Sequence, residues 1–354
     1  MMRYPEIISF DSIADHLSQF DCVIDVRSPA EFAEDHIPGA INCPVLDNEE
    51  RILVGTTYKQ VDSFEAKRLG ASFIATNIGK HLATQFKDKP KNWRPLLYCW
   101  RGGNRSGAMA HIFAKIGWPV ALLEGGYKAY RQHINQTIPE LTKNIQWEVL
   151  CGTTGCGKSR LLRTLASKGE QILDLEALAC HRGSVLGDIP TEKQPSQKMF
   201  ESHIWAILKV TDKQRPIYVE AESKKVGNLR VPDAIMNSMR ESSCISIEMP
   251  VAVRVQLLME EYCHFIEHPE LLNHQLDFLC HLHGKEKILL WKNQVLKGEI
   301  AQVVQSLLEE HYDPAYNKSI NRNFSRFQEA KHILQASLET IDFESSAQQI
   351  LSKD

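Results

Sequence analysis

Residues 152–159 read Gly-Thr-Thr-Gly-Cys-Gly-Lys-Ser, and few octapeptides restrict a fold more. Such a loop gathers backbone N–H groups around a phosphate only when it joins a strand to a helix. The flanks supply both. Trp147-Glu148-Val149-Leu150-Cys151 is a short apolar run of the kind a buried strand needs, and Leu161, Leu162, Leu165 and Ala166 recur at helical spacing after the loop. An α/β layer is therefore expected here. In it Gly152, Thr153, Thr154, Gly155, Cys156 and Gly157 wrap a di- or triphosphate, Lys158 reaches its terminal groups, and Ser159 ligates Mg²⁺. A second strand, Pro216 to Ser223, carries Glu220 and Glu222 where an acidic partner for the metal belongs. Asp174-Leu175-Glu176, behind the apolar stretch Gln171-Ile172-Leu173, is a further carboxylate pair. Asp174, Glu220 and Glu222 are the expected Mg²⁺ shell, and His181-Arg182-Gly183-Ser184 adds positive groups in a nearby loop.

A second cradle stands earlier in the chain. The apolar run Leu96-Leu97-Tyr98 ends in Cys99, followed by Trp100-Arg101-Gly102-Gly103-Asn104-Arg105-Ser106 and a helical pattern at Ala108, Met109, Ile112 and Phe113. Glycines let N–H groups turn inward, a helix N-terminus adds partial positive charge, and arginine offers a planar fork for an oxyanion. A cysteine at such a mouth is expected to act as a nucleophilic thiolate. Cys99, Arg101 and Arg105 are thus the expected catalytic residues, with Trp100, Gly102, Gly103, Asn104 and Ser106 forming the anion loop. Strand signals at 22–26, 41–42 and 120–123 alternate with helix signals, which implies a mostly parallel sheet covered on both faces. Proline and polar residues around Thr137-Ile138-Pro139-Glu140 mark a join. The expected division is a first domain over 1–137, a linker over 138–146, a P-loop domain over 147–310, and a helical C-terminal extension over 311–354.

Composition narrows the function classes. Of 354 residues 43% are hydrophobic and 24% charged, as in globular proteins, and no run is long enough for a membrane span. Nine cysteines, odd in number and without CxxC spacing, favour reduced thiols and a cytoplasmic location. The net charge of −3 gives no overall basic footprint, so a nucleic acid would need a local patch. Lys318, Arg322, Arg326 and Lys331 recur at roughly helical spacing with Asn321, Asn323 and Phe324 among them, which suits an RNA backbone as well as a solvated helix face. Lys224, Lys225 and Arg230 would extend the same surface. Cys263, His264, His268, His274, Cys280, His281 and His283 crowd together, but only His264 and His268 have ligand-pair spacing, and no zinc is expected.

The first half, roughly residues 5–135, resembles the rhodanese family. The match is carried by Asp25-Val26-Arg27 with Glu31-Phe32, the His36-Ile37-Pro38-Gly39-Ala40 turn, the Cys99 loop and Gly125-Gly126. Five residues separate Cys99 from Arg105, one more than in the common sulfurtransferase loop and the same as in rhodanese-fold phosphatases and arsenate reductases. The wider loop suits a tetrahedral, phosphate-like group. The whole chain resembles the tRNA 2-selenouridine synthases. The further matching blocks are Glu50-Arg51, Val54-Gly55-Thr56, Tyr58-Lys59-Gln60, Gly125 to Arg131, the P-loop, Asp174-Leu175-Glu176 with His181 to Ser184, and Glu220 to Ser223.

This resemblance implies a rhodanese-like domain followed by a P-loop NTPase-like α/β domain with a helical C-terminal region. It also implies a transferase that replaces sulfur by selenium at the wobble 2-thiouridine of a tRNA anticodon loop. Selenophosphate would be the selenium donor, and geranyl diphosphate would form an S-geranylated intermediate. Cys99 would carry selenium as a Cys–S–Se adduct while Arg101 and Arg105 hold the phosphate. No tightly bound cofactor is implied beyond Mg²⁺ at the P-loop. A selenophosphate-producing enzyme would be a partner; the sequence leaves the oligomeric state open, with a monomer favoured. Three alternatives stay open: a rhodanese-fold phosphatase or arsenate reductase fused to a nucleotide-binding module, a non-catalytic tRNA-binding module, and a nucleotide as the P-loop ligand.

Overall fold

The structure, a computed structural model, describes residues 4–184 and 186–352. The chain divides into two compact units. The first comprises the chain up to Pro139 together with Pro195–Lys209, and the second comprises Glu140–Gln194 and the chain from Val210 onward.

The first unit is built on five short strands, β1 (Glu6–Ile8), β2 (Cys22–Asp25), β3 (Ile41–Asn42), β4 (Pro95–Tyr98) and β5 (Ala121–Leu123), in the order β1-β5-β4-β2-β3. Every pairing is parallel. The register sets Ile24 against Leu97 and Asp25 against Tyr98, so the loops after β2 and β4 leave from the same edge. Parallel central strands are covered on both faces, and Ile24, Leu96 and Leu97 are accordingly buried. Helix Asn104–Ile116 packs Met109, Ala110 and Phe113 onto the sheet, beside edge-to-face aromatic pairs formed by Phe86, Trp93, Phe113 and Trp118. Between β3 and β4 a helical hairpin, Asn48–Gln60 and Ser63–Thr84, starts from side-chain caps at Asp47 and Asp62. Ile52, Leu53, Tyr58, Val61 and Phe64 on it are exposed, while Ile74, Ile78 and Leu82, at helical spacing on the second helix, pack against the core.

Helix Gln197–Val210 lies within the stretch expected to belong wholly to the P-loop domain, yet it completes the first unit. Its apolar face is the reason: Phe200, Ile204, Trp205 and Leu208 are buried, and the Trp205 ring meets Phe10, Tyr130 and His133. Trp205 Nε1 donates to Thr137 Oγ1 at 3.1 Å, and Arg131 pairs with Glu201. The expected linker over 138–146 is also mostly helix, because Gly126–Lys143 runs unbroken through Pro139. Proline there removes one helical N–H, but the buried residues Tyr130, Ile134, Ile138 and Thr142 keep one face of the helix packed through that turn.

The second unit has five parallel strands in the order β12-β11-β6-β8-β7: β6 (Trp147–Cys151), β7 (Gln171–Leu173), β8 (Ile217–Glu220), β11 (Ser243–Glu248) and β12 (Lys331–Leu334). A small antiparallel hairpin, β9 (Lys225–Val226) and β10 (Leu229–Arg230), follows β8. Helices account for most of the chain from Val251 to Asn323, around a core that includes Phe265, Leu272, Trp291, Val303 and Leu307. The stretch expected as a helical extension contributes the edge strand β12 before its last helix, Thr340–Leu351. Lys318, Arg322, Arg326 and Lys331 therefore do not share one helix face. The helix carrying the first two ends at Asn323, where the side chain of Phe324 turns into the core. Lys331 sits on β12, and its ammonium donates to the Gln349 and Ser352 carbonyls at the end of the last helix. No helix among the described residues is long and apolar enough to cross a membrane.

The docked helix gives a direct test. Replacing Trp205 by Ala is expected to cost about 3–5 kcal/mol of stability, as for other buried tryptophans, seen in denaturant unfolding of the first unit. An unchanged midpoint would mean that the helix is not part of that unit's core.

Candidate active sites

Cys99 follows β4 at the sheet edge where β2 also ends. It is 3% exposed, and the Ser106 hydroxyl donates to its Sγ at 3.1 Å. Ser106 stands in the first turn of helix Asn104–Ile116, so the sulfur receives a hydroxyl hydrogen bond and faces the positive end of a helix. The loop is held from behind by the turn at Gly125-Gly126. Tyr127 N–H donates to the Cys99 carbonyl at 2.8 Å and Lys128 N–H to the Trp100 carbonyl at 3.0 Å. Only glycine fits at this approach: Gly126 has φ +56°, and a Cβ there would overlap the Cys99 carbonyl oxygen. Gly102 is equally confined, with φ +66° and the Leu123 carbonyl 2.7 Å from where a Cβ would lie.

Arg105 forks onto Glu31, with N–H···O distances of 2.6 and 3.2 Å, and Arg51 approaches the same carboxylate at 3.7 Å. Burial would raise the Glu31 carboxyl, but the Arg105 hydrogen bonds and charge, with Arg51, hold it below the ordinary value. The fork uses two of the five guanidinium N–H groups, so Arg105 is oriented and retains donors. Arg101, Gly103 and Asn104 are exposed, and the Trp100 ring lies 5.3 Å from that of Tyr127.

A buried polar network backs this loop. Arg27 holds Asp25 through contacts of 2.6–3.0 Å, donates to the Asp35 carbonyl at 2.6 Å, and lies 3.9 Å above the Tyr127 ring. The Asp35 carboxylate accepts from Tyr127 Oη and Ser202 Oγ, both at 2.7 Å, and faces Arg131 at 3.4 Å.

In the second unit β6 and β8 end side by side, with Leu150 opposite Glu220, and the P-loop leaves from that edge into helix Lys158–Ser167. Lys158 Nζ lies back over the loop, donating to the Gly152 carbonyl at 2.8 Å and the Thr153 carbonyl at 3.4 Å. Gly152 N–H donates to Tyr316 Oη at 2.6 Å. Arg254 braces the loop from outside. Its Nε donates to the Thr154 carbonyl at 2.9 Å, while its fork holds Asp313 at 2.6 and 2.9 Å. The loop floors a cleft of about 910 Å³ that also takes in Arg182, Lys224, Arg240 and Phe324.

Glu176, Glu220 and Glu222 converge beside Ser159, with one oxygen of each within 4.8 Å of the others. Ser159 Oγ donates to Glu176 Oε2 at 3.2 Å. Burial first, then mutual repulsion, raises all three carboxyls, Glu176 and Glu220 to about 8 and Glu222 to about 7. Glu220 Oε1 is buried with no hydrogen-bond partner. An orphaned carboxylate oxygen among hard oxygen donors fits a divalent cation such as Mg²⁺.

The expected shell is therefore redrawn by one residue. Asp174 lines the cleft but caps helix Leu175–Ala179, accepting from Ala177 N–H at 2.8 Å, while Glu176 two residues on joins the cluster. Among the expected RNA-facing residues, Lys225, Lys318 and Arg322 are exposed, Lys224 pairs with Asp233, and Arg326 with Glu329. Glu31, Arg254 and Tyr316 were not singled out as site residues. The Ser28-Pro29-Ala30-Glu31 capping box was legible locally, but its use of Glu31 on Arg105, 74 residues away, was not.

A family model described as the tRNA 2-selenouridine synthase AAA domain matches residues 145–278, and one described as a rhodanese-like domain matches residues 9–133. A tRNA 2-selenouridine synthase from Nitrosomonas europaea is 38% identical over 265 residues, spanning 74% of this chain and 68% of that protein. One from Nitrosomonas eutropha is 38% identical over 68% of this chain and 62% of its own length. One from Psychromonas ingrahamii is 30% identical over 86% of this chain and 90% of its own length. The Cys99 unit and the P-loop unit thus occur together, in the same order, in proteins that match this chain across most of its length, and the chain belongs to the tRNA 2-selenouridine synthase family.

Proposed function

We propose that the chain converts wobble 2-thiouridine of tRNA to 2-selenouridine in two steps, S-geranylation at the P-loop and selenium insertion at Cys99. The observation that carries this reading is the presence of two separately built loops, one around a buried cysteine that accepts a hydrogen bond from Ser106 and one beside a cluster of three glutamates. A thiouracil sulfur is a poor leaving group. Alkylation makes C2 more electrophilic and converts the sulfur into a thiolate leaving group.

In the first step the thiouridine sulfur attacks C1 of geranyl diphosphate, and diphosphate departs with the electron pair of the broken C–O bond. Lys158 and the loop N–H groups hold the departing charge, for which Lys158 leaves the Gly152 and Thr153 carbonyls. Mg²⁺ held by Ser159, Glu176, Glu220 and Glu222 would neutralise more of it. In the second step the Cys99 thiolate takes selenium from selenophosphate. Phosphorus leaves with the Se–P electron pair, as phosphite, and Arg101, Arg105 and the loop N–H groups hold it. The sulfur-bound selenium then attacks C2 and expels geranyl thiolate. A thiol reductant supplies the two electrons that cleave the S–Se bond and free selenouridine. Lys225, Lys318 and Arg322, exposed near the P-loop half, are assigned to the RNA backbone.

The reading is tested with purified protein, thiolated tRNA and nucleoside mass spectrometry. Cys99→Ser is expected to abolish selenouridine while geranylated tRNA still accumulates; selenouridine at the wild-type level would remove Cys99 from the reaction. Lys158→Ala is expected to raise the KM for geranyl diphosphate about 10- to 100-fold, the worth of one charged hydrogen bond. Unchanged geranylation would instead point to a nucleotide at the P-loop.

A third expectation concerns pH. A carboxylic acid must lose its proton to bind a cation, and the three glutamates titrate near 7–8. Mg²⁺ affinity measured by calorimetry should therefore weaken as pH falls through that range, by about tenfold per unit below it for each proton released. A flat profile would exclude the cluster as the cation site.

A further inference from the structure

The chain has six tryptophans, and five of them are buried. The sixth, Trp100, follows Cys99 directly and is 36% exposed. Exposure alone says little, because single apolar side chains at a surface are ordinary. This ring, however, is braced. Its centroid lies 5.3 Å from that of Tyr127, with 31° between the two planes. Tyr127 is in turn fixed from three directions. The Arg27 guanidinium sits 3.9 Å over its ring, its hydroxyl donates to Asp35 at 2.7 Å, and its N–H donates to the Cys99 carbonyl. Arg27, Tyr127 and Trp100 are thus linked in series, from a buried guanidinium to an indole in solvent.

The backbone at the same point is pinned as well, since Lys128 N–H donates to the Trp100 carbonyl at 3.0 Å. The space beside the loop is open. The next residues but one, Gly102 and Gly103, carry no side chain to cover the ring, and a Cβ at Gly103 would meet no atom within 4 Å. The surroundings are polar: Arg101, Asn104 and Lys128 are all exposed. A hydrocarbon partner would cover the indole but bring nothing to answer these groups. A nucleotide answers all of them. Its base offers a π face to the indole, its base edge carries hydrogen-bonding groups, and its phosphates pair with lysine or arginine.

We propose that Trp100 is the platform on which the substrate base stacks at the Cys99 site, with Asn104 and Lys128 holding the RNA next to it. This deepens the reading of Cys99 as the selenium carrier and rests on it. Stacking holds a pyrimidine by its face, one residue along the chain from the sulfur, and leaves the C2 edge free to react. Every base has a π face, so Trp100 supplies position and not sequence selectivity.

The test uses the full-length protein and an anticodon stem–loop RNA carrying 5-bromouridine at the wobble position. Irradiation is expected to crosslink that base to the peptide containing Trp100, identified by mass spectrometry. With S-geranylated RNA as substrate, so that only the second step is read, Trp100→Ala should raise the KM for RNA about 5- to 100-fold, the worth of one stacked base. Trp100→Phe, which keeps a ring, should recover most of that loss. The crosslink needs no variant and carries the test if Trp100→Ala does not fold. Absence of a crosslink to that peptide would overturn the proposal, as would a wild-type KM in a folded Trp100→Ala protein. A crosslink at Trp100 in protein whose Cys99 takes up no selenium from selenophosphate would uphold the stacking and refute only the selenium step.

Discussion

A single buried carboxylate organises the first unit. Asp35 is inaccessible to solvent, and a charge so placed persists only when it is fully hydrogen-bonded. Its partners come from distant parts of the chain: Tyr127 and Arg131 from the helix after β5, and Ser202 from helix Gln197–Val210. Tyr127 is the link to chemistry. Its hydroxyl is tied to Asp35 while its backbone N–H holds the Cys99 carbonyl. The position of the Cys99 loop therefore depends on a carboxylate buried behind it.

The two anion sites balance their charges in opposite ways. Around Cys99 the arginines outnumber the carboxylate, and Glu31 orients Arg105 without neutralising the site. At the P-loop three glutamates crowd one lysine. Burial and mutual repulsion both favour the protonated carboxyls there, and a divalent cation that binds them displaces those protons. One loop thus presents surplus positive charge, and the other a cluster of carboxylates beside a lysine.

Both loops were legible in the sequence because their geometry is local: a strand, a few glycines and a helix within a dozen residues. What escaped was set by long-range packing or by a choice between two local roles. Asp174 and Glu176 are both acidic and two residues apart, yet one caps a helix and the other turns into the cleft, and only the start of helix Leu175–Ala179 decides between them. Lys318 to Lys331 kept a helical spacing across a point where the chain leaves the helix, because the helix ends at Asn323 and Phe324 is extended and buried. Helix Gln197–Val210 shows an ordinary amphipathic pattern, and periodicity cannot say which core such a face will meet.

That helix has a consequence for how the protein is made. A ribosome delivers residues up to Pro139 well before Gln197–Val210, roughly 4–14 s earlier at ordinary rates of synthesis. During that interval Asp35 lacks Ser202, and the surface formed by Phe10 and Tyr130 lacks Trp205. The first unit to emerge is therefore completed only after part of the second has been made. The loop that carries Cys99 acquires its full support only after the P-loop has been translated, so a truncated chain would present it incompletely braced.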